Sequence, residues 1–316
     1  MKSRWKYALY AMLLGGAIVF VSAVVFSFYP DPFINTFLKG RITEALDEAY
    51  PAYSIRIGDI HYNTWENRIG FDSVAVTAKD STMSSFIATH SVSGISWWEL
   101  LKAGALVPHG FTGSVLDAHG IVVHFPQSGY ELRCALLRVS VPDSEVVLKG
   151  FEFHPVGDDE QFFAGSKFRR TRFRLDVPRS TIAGFACLEL LQGKNYRTRS
   201  AEIHAPTLDV LINKDKPFSK DTIDPRMPND VLSSIKGILQ VDRLSVMNGA
   251  VKYGERFVVG SNPAVLTFDS IHLLAEGIAN HGDPNPDFVI HAEGNFMKAG
   301  TVKVRMSIPV ASPELS

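Results

Sequence analysis

Polar and apolar positions along the chain fall into three regimes. From Tyr7 to Phe28, twenty-two residues pass without a charge. At about 1.5 Å rise per residue this run makes roughly 33 Å of helix, enough for a hydrocarbon core of about 30 Å. A soluble helix of that length shows a polar face, and this one has none. Then Phe33, Phe37, Leu38, Ile42, Ala45 and Leu46 recur at helical spacing until Pro51, predicting an amphipathic linker helix within 29–50. Beyond it the period changes to two.

The clearest alternation is Thr301 to Ile308. Val302, Val304, Met306 and Ile308 take one parity, while Thr301, Lys303, Arg305 and Ser307 take the other. Phe173, Leu175 and Val177 alternate in the same way with Arg172, Arg174 and Asp176. Phe288, Ile290, Ala292 and Phe296 oppose His291, Glu293 and Asn295, and Ser54–Ile57 and Leu266–Phe268 are shorter examples. This predicts antiparallel strands with one dry and one wet face. About ten to twelve such strands are expected against two or three short helices. Several change phase at a Gly, Asp or Ser, as when Ile55 and Ile57 give way through Gly58-Asp59 to Ile60 and Tyr62. A β-bulge does this, and repeated bulges coil a sheet.

A faint repeat runs through the body. Ile95–Phe125 reads as a short apolar helix, a turn and a strand; Ile182–Ile212 repeats the plan, and Val231–Tyr253 echoes it. Glu-Leu-Leu recurs at Glu99–Leu101 and Glu189–Leu191. The strand ending Met306-Ser307-Ile308-Pro309 is followed by seven residues without a capping element, which reads as the interior of something longer.

Charge orients the first regime. Lys2, Arg4 and Lys6 precede the apolar run and Asp31 is the first charge after it, with Trp5, Tyr7 and Tyr29 at its two margins. The positive-inside rule leaves residues 1–6 in the cytoplasm, 7–28 as the membrane anchor and the rest outside. Val21-Ser22-Ala23 also suits signal cleavage, but the run continues five residues past Ala23, longer than a signal's core needs. Without Lys2, Arg4 and Lys6, 29 of the 32 cations remain against 33 acids, a formal −4. Nothing in that balance draws the body to nucleic acid.

Candidate chemistry is sparse. The sequence has no nucleophile elbow, P-loop, dinucleotide fingerprint or His-Glu-x-x-His, so neither an enzyme nor a cofactor is expected. His119 and His124 are five residues apart on one strand, which regular alternation places on opposite faces; no metal site is expected. Asp283-Pro284-Asn285-Pro286-Asp287 imitates the opening of a calcium loop, but Phe288 holds the glycine position and Gly294 the twelfth. Lys167, Arg169, Arg170, Arg172, Arg174 and Arg179 form one dense basic run that suits anionic headgroups or phosphate, but Arg170, Arg172 and Arg174 share one parity and read rather as the solvated face of a strand. Trp97-Trp98 suits interfacial membrane contact, but reads rather as opening a short helix that plugs the end of a sheet. Cys134 and Cys187 either pair outside the cytoplasm or remain two buried thiols.

An anchor, a short helix over Phe37–Tyr50, and then Ser54–Ile60, Ile69–Val76, Trp97–Leu101 and the strand–Asn-Gly–strand phrase Val241–Tyr253 together resemble the AsmA-like superfamily of the Gram-negative envelope. That superfamily includes the TamB-like and bridge-like lipid-transfer proteins, and the chain resembles an amino-terminal portion of one. The resemblance implies a mainly β fold in which a long antiparallel sheet over 51–316 coils into a periplasmic groove behind an inner-membrane helix. It implies phospholipid as the cargo, the inner membrane as the anchorage and an outer-membrane protein as a further partner, in outer-membrane lipid homeostasis. Acyl chains would lie on the dry face, whose candidates are Ile55, Ile57, Phe71, Phe173, Leu175, Val177, Val302, Val304, Met306 and Ile308. Alternation alone fits equally a β-sandwich that closes its dry faces on each other, an anchored scaffold for envelope proteins.

Overall fold

The computed structural model describes residues 39–40, 43–44, 46–48, 50–96, 108–186, 195–218, 237–258, 260–280 and 287–309, of which 66% lie in strands. In chain order these strands are β1 (Tyr53–Ile57), β2 (Ile60–Asn63), β3 (Arg68–Phe71), β4 (Val74–Ala78), β5 (Ser84–Ser93), β6 (Val115–Phe125), β7 (Tyr130–Ser140) and β8 (Glu145–Pro155). After the short helix α1 (Asp159–Ala164) come β9 (Arg170–Ala183), β10 (Asn195–His204), β11 (Thr207–Asn213), β12 (Ile238–Arg256), β13 (Ala264–Ala279), β14 (Asp287–Phe296) and β15 (Gly300–Pro309). The described residues between 39 and 48 are helical. Among the described residues no helix is long and apolar enough to cross a membrane. The run 7–28 lies outside them, as do the Trp97–Leu101 helix, Cys187 and most of the calcium-like loop.

All fifteen strands belong to one sheet. Its path is β1-β4-β5-β6-β7-β8-β9-β10-β12-β13-β14-β15, with β2 and β3 continuing β1 and β4, and β11 continuing β10. At about 4.8 Å between neighbours, these twelve positions span roughly 50 Å. Short turns make nearly every pairing antiparallel. The parallel pairings are those of β12 with β10 and β11, because residues 214–237 must carry the chain back to the other end before β12 begins.

More strands exist than the ten to twelve expected, because a crease interrupts several of them. It passes from Gly58-Asp59, between β1 and β2, to Ser73 between β3 and β4. It continues through Ala88, Gly120, Ala135, Gly150 and Pro178, each skipped by the pairing ladder on both sides. Beyond β9 it follows Ala205-Pro206, Asn248-Gly249 and Ser270, where the β12–β13 and β13–β14 registers shift. Ser73, Gly120, Gly150, Ala205, Asn248 and Ser270 on this line all have positive φ. Gly120 and Gly150 show why small residues recur there: a Cβ would lie 2.9 Å from that of Ala88 and 3.0 Å from that of Ala135. The phase changes expected at Gly, Asp and Ser are therefore one feature shared by neighbouring strands.

The crease inverts the apolar phase. Ala118 is followed by Ile121, Leu148 by Phe151, and Val177 by Ser180 and Ile182. An odd step across a bulged residue keeps the apolar set on one face. It therefore places His119 and His124 on the same polar face, correcting the expectation from regular alternation. They remain about 16 Å apart along β6 at 3.3 Å per residue, and His124 pairs instead with Glu131 at 2.8 Å.

Little of this sheet is covered by the described residues. Fourteen apolar residues are buried among those described, and of the largest side chains only Ile60 is fully so. A two-layer domain seals one whole sheet face. The main buried cluster is Tyr130, Phe162, Phe163 and Leu211, where β8 parts from β9 and α1 wedges the gap. Tyr130 stacks on Phe153 with ring centroids 4.7 Å apart, and its hydroxyl accepts the Phe173 N–H at 2.9 Å. Asp158 caps α1 in a reciprocal pair with Gln161, satisfying amides that would otherwise be orphaned. Arg172 is 2% exposed rather than solvated as its parity suggested. It pairs with Asp159 at 3.1 Å and Asp209 at 2.9 Å, because α1 lies where water was expected.

Candidate functional site

Residues directly opposite one another on neighbouring strands share a face, so the register can be followed across the sheet. One row leads from Ile55 through Val76, Ser85, Val123, Leu132, Phe153, Leu175, Leu208 and Val251 to Phe268 and Phe296. A second leads from Ile57 through Val74, Ile87, Ile121, Cys134 and Phe151 to Val177. Beyond the crease, Phe71 leads through His90, Ala118, Leu137, Leu148, Ser180, Ile203, Val246, Leu273 and Ala292 to Val304. Met306 ends a fourth row, from Leu116 through Val139, Val146, Ile182, Ala201, Leu244, Ala275 and Ile290. Phe173 stands opposite Val210, Val302 opposite Gly294, and Ile308 opposite Phe288. The ten candidates, drawn from four strands far apart in sequence, thus fall on one apolar face.

Their exposure is graded. Val177 is buried and Ile55, Ile57, Phe71, Leu175 and Ile308 are half-buried, while Phe173, Val302, Val304 and Met306 stand open to solvent. The half-burial comes from in-plane neighbours, as in a row of side chains with nothing standing on it.

This face holds a cavity of ≈ 260 Å³ whose lining includes Val146, Ile182, Phe185, Tyr196, Thr198, Ala201, Leu239 and Val241. Thr198 and Ala201 reach it from an odd spacing because a second crease, through Gly184, Arg199, Asp242 and Gly277, interrupts these strands. No cavity residue was among the ten candidates. The segment Asn195–His204 is too polar to advertise a strand, although the run Leu239, Val241, Leu244, Val246 carried a signal once its phase change is allowed.

Several polar groups interrupt the apolar face, His90 and Cys134 among them. His90 leans on Phe71 with ring centroids 5.4 Å apart, its Nδ1 is buried without a hydrogen-bond partner, and burial holds its pKa below the ordinary value of 6.5. It is a neutral, apolar-like ring there. Cys134 is a buried free thiol that donates to the Leu136 carbonyl at 3.2 Å, and burial pushes its pKa up, which makes it inert rather than nucleophilic.

The opposite face is polar and laced with ion pairs, Arg138 with Asp117 at 3.4 Å, Arg133 with Glu131, and Lys303 with Glu293 at 3.2 Å, and His154 hydrogen-bonds Asp176 there at 2.9 Å. The division between the faces is thus chemical, suited to holding apolar matter on one side with water on the other. No protein-family model matches the chain, and no curated protein matches it by sequence.

Proposed function

We propose that this protein handles phospholipid, with acyl chains lying on the apolar face and headgroups remaining in water. In this reading residues 7–28 anchor the chain in the inner membrane of a Gram-negative envelope, and the sheet stands in the periplasm as a groove serving outer-membrane lipid homeostasis. The observation that carries it is the apolar face itself, continuous across the sheet through both creases and left without a covering layer among the described residues. Burying a methylene is worth about 0.8 kcal/mol, so ten methylenes of an acyl chain laid along one row gain roughly 8 kcal/mol before ordering costs. The scaffold reading calls for a second sheet over this face, and the described strands supply only one.

Photo-crosslinking in the full chain tests this directly. A benzophenone side chain at Phe173 or Val304 is expected to yield phospholipid adducts by mass spectrometry, and one at Arg133 on the polar face is not. Equal adducts on both faces, or none on either, defeat the reading.

A further inference from the structure

At the end of the sheet where β9 begins and β11 and β12 finish, three loops interlock: the α1-bearing connection between β8 and β9, residues 214–218, and the turn between β12 and β13. Arg169 N–H donates to the Pro217 carbonyl at 2.9 Å and Lys214 N–H to that of Arg256 at 2.7 Å. Lys216 Nζ donates to the Phe163 carbonyl at 2.7 Å. These bonds hold a platform whose outward side chains are apolar. Phe218 is 63% exposed and Phe257 59%, with Phe168, Val156 and Val258 also exposed around them. A soluble surface carries such residues singly, and a cluster marks a contact. Trp65, in the turn between β2 and β3, is a large exposed aromatic at the opposite end.

Cations stand among these aromatics. The Arg169 guanidinium lies 3.9 Å from the Phe218 ring centroid and that of Arg170 lies 4.2 Å from Phe162. Arg169, Arg170 and Lys216 bond to carbonyl oxygens rather than carboxylates, and Lys167 has no carboxylate partner among the described residues. Nearby acids are mostly engaged: Asp159 with Arg172 and Arg174, Glu160 with Arg256, Glu255 with Lys214, and Asp158 as the helix cap. Asp158 and Asp215 have no cation partner among the described residues, and Asp215 Oδ1 is buried without a hydrogen-bond partner. An excess of cations over acids beside exposed aromatics is the composition of a membrane-interface patch.

We propose that this platform docks on a bilayer surface carrying anionic headgroups, seating Phe218, Phe257 and Val258 at the headgroup–acyl boundary with Lys167 and Arg169 on phosphates. The proposal goes beyond acyl binding on the sheet, since it needs no occupant on the apolar face.

A local probe tests it in the full chain. With Cys187→Ser removing one thiol and Cys134 buried, Ser261→Cys in the β12–β13 turn is labelled with NBD, and Trp65→Cys serves as the control site. Adding vesicles of phosphatidylcholine with 30% phosphatidylglycerol is expected to raise emission at position 261 several-fold and leave position 65 unchanged. Pure phosphatidylcholine, or 0.5 M salt, should weaken the response at least fivefold, and Phe218→Ser with Phe257→Ser about tenfold. No response at 261, or an equal one at 65, overturns the proposal and leaves a protein partner for the patch. The adducts at Phe173 report separately on the apolar face, so either reading can fail alone.

Discussion

Two parts of the same sheet carry the same alternation and end in opposite states. Where α1 lies over the Arg172 and Leu211 side of β9 and β11, Leu211 and even Arg172 are buried, while Phe173 on the other side stays exposed. At the far edge, every residue of β15 from Gly300 to Ser307 is exposed, including Val302, Val304 and Met306, which alternate as regularly as Phe173, Leu175 and Val177 do. Alternation therefore says which side chains share a face, and burial depends on what stands over that face. In the first region α1 supplies the cover, with two phenylalanines for the aromatic cluster and two acids for the arginines. At the second nothing among the described residues stands over β15, so its strand order rests on backbone pairing with β14.

The largest effect should come from removing the charge that α1 covers. Arg172→Ala leaves Asp159 and Asp209 without their shared buried cation, and a loss of about 3 kcal/mol in urea unfolding is expected. A loss below 1 kcal/mol would mean that α1 contributes little to this end. Next is the crease: Gly120→Val puts a β-branched residue at φ +62 and a Cβ 2.9 Å from that of Ala88, and should cost about 2 kcal/mol. Tolerance of valine there would show that the crease is not constrained by close approach.

Smaller effects sharpen the contrast. His90 is held neutral by burial, with its pKa lowered. The unfolded chain then binds a proton that the folded chain does not as pH falls through 6.5, so stability should decline below that pH. His90→Leu is expected to remove this contribution to the slope in denaturant melts between pH 7 and 5. An unchanged slope assigns the pH dependence to other groups. The smallest effect belongs to the free edge, where Val304→Ser should shift stability by less than about 0.5 kcal/mol while reducing lipid adducts at neighbouring positions. A loss near 2 kcal/mol would reveal that this edge is covered.

Much of the architecture can be read before any coordinates. The period-two text of Thr301–Ile308 and Phe173–Val177 identifies strands and sorts their faces, since a pleated backbone leaves a residue only two directions to point. The phase changes at Gly, Asp and Ser likewise announce the bulges. What the local pattern does not carry is the alignment of those bulges. Gly120, Gly150 and Asn248 are far apart in sequence and meet on one line only through register, which is a relation between strands. For the same reason alternation mispredicts both Arg172, covered by a helix tied to it by Asp159, and the pair His119 and His124, turned to one face by Gly120. Composition and periodicity along the chain determined a sheet with a dry side and a wet side. Long-range pairing alone decided that the dry positions of fifteen strands join into one surface and that little among the described residues is laid over it, because cover is contributed by residues distant in sequence whose contacts no local pattern records.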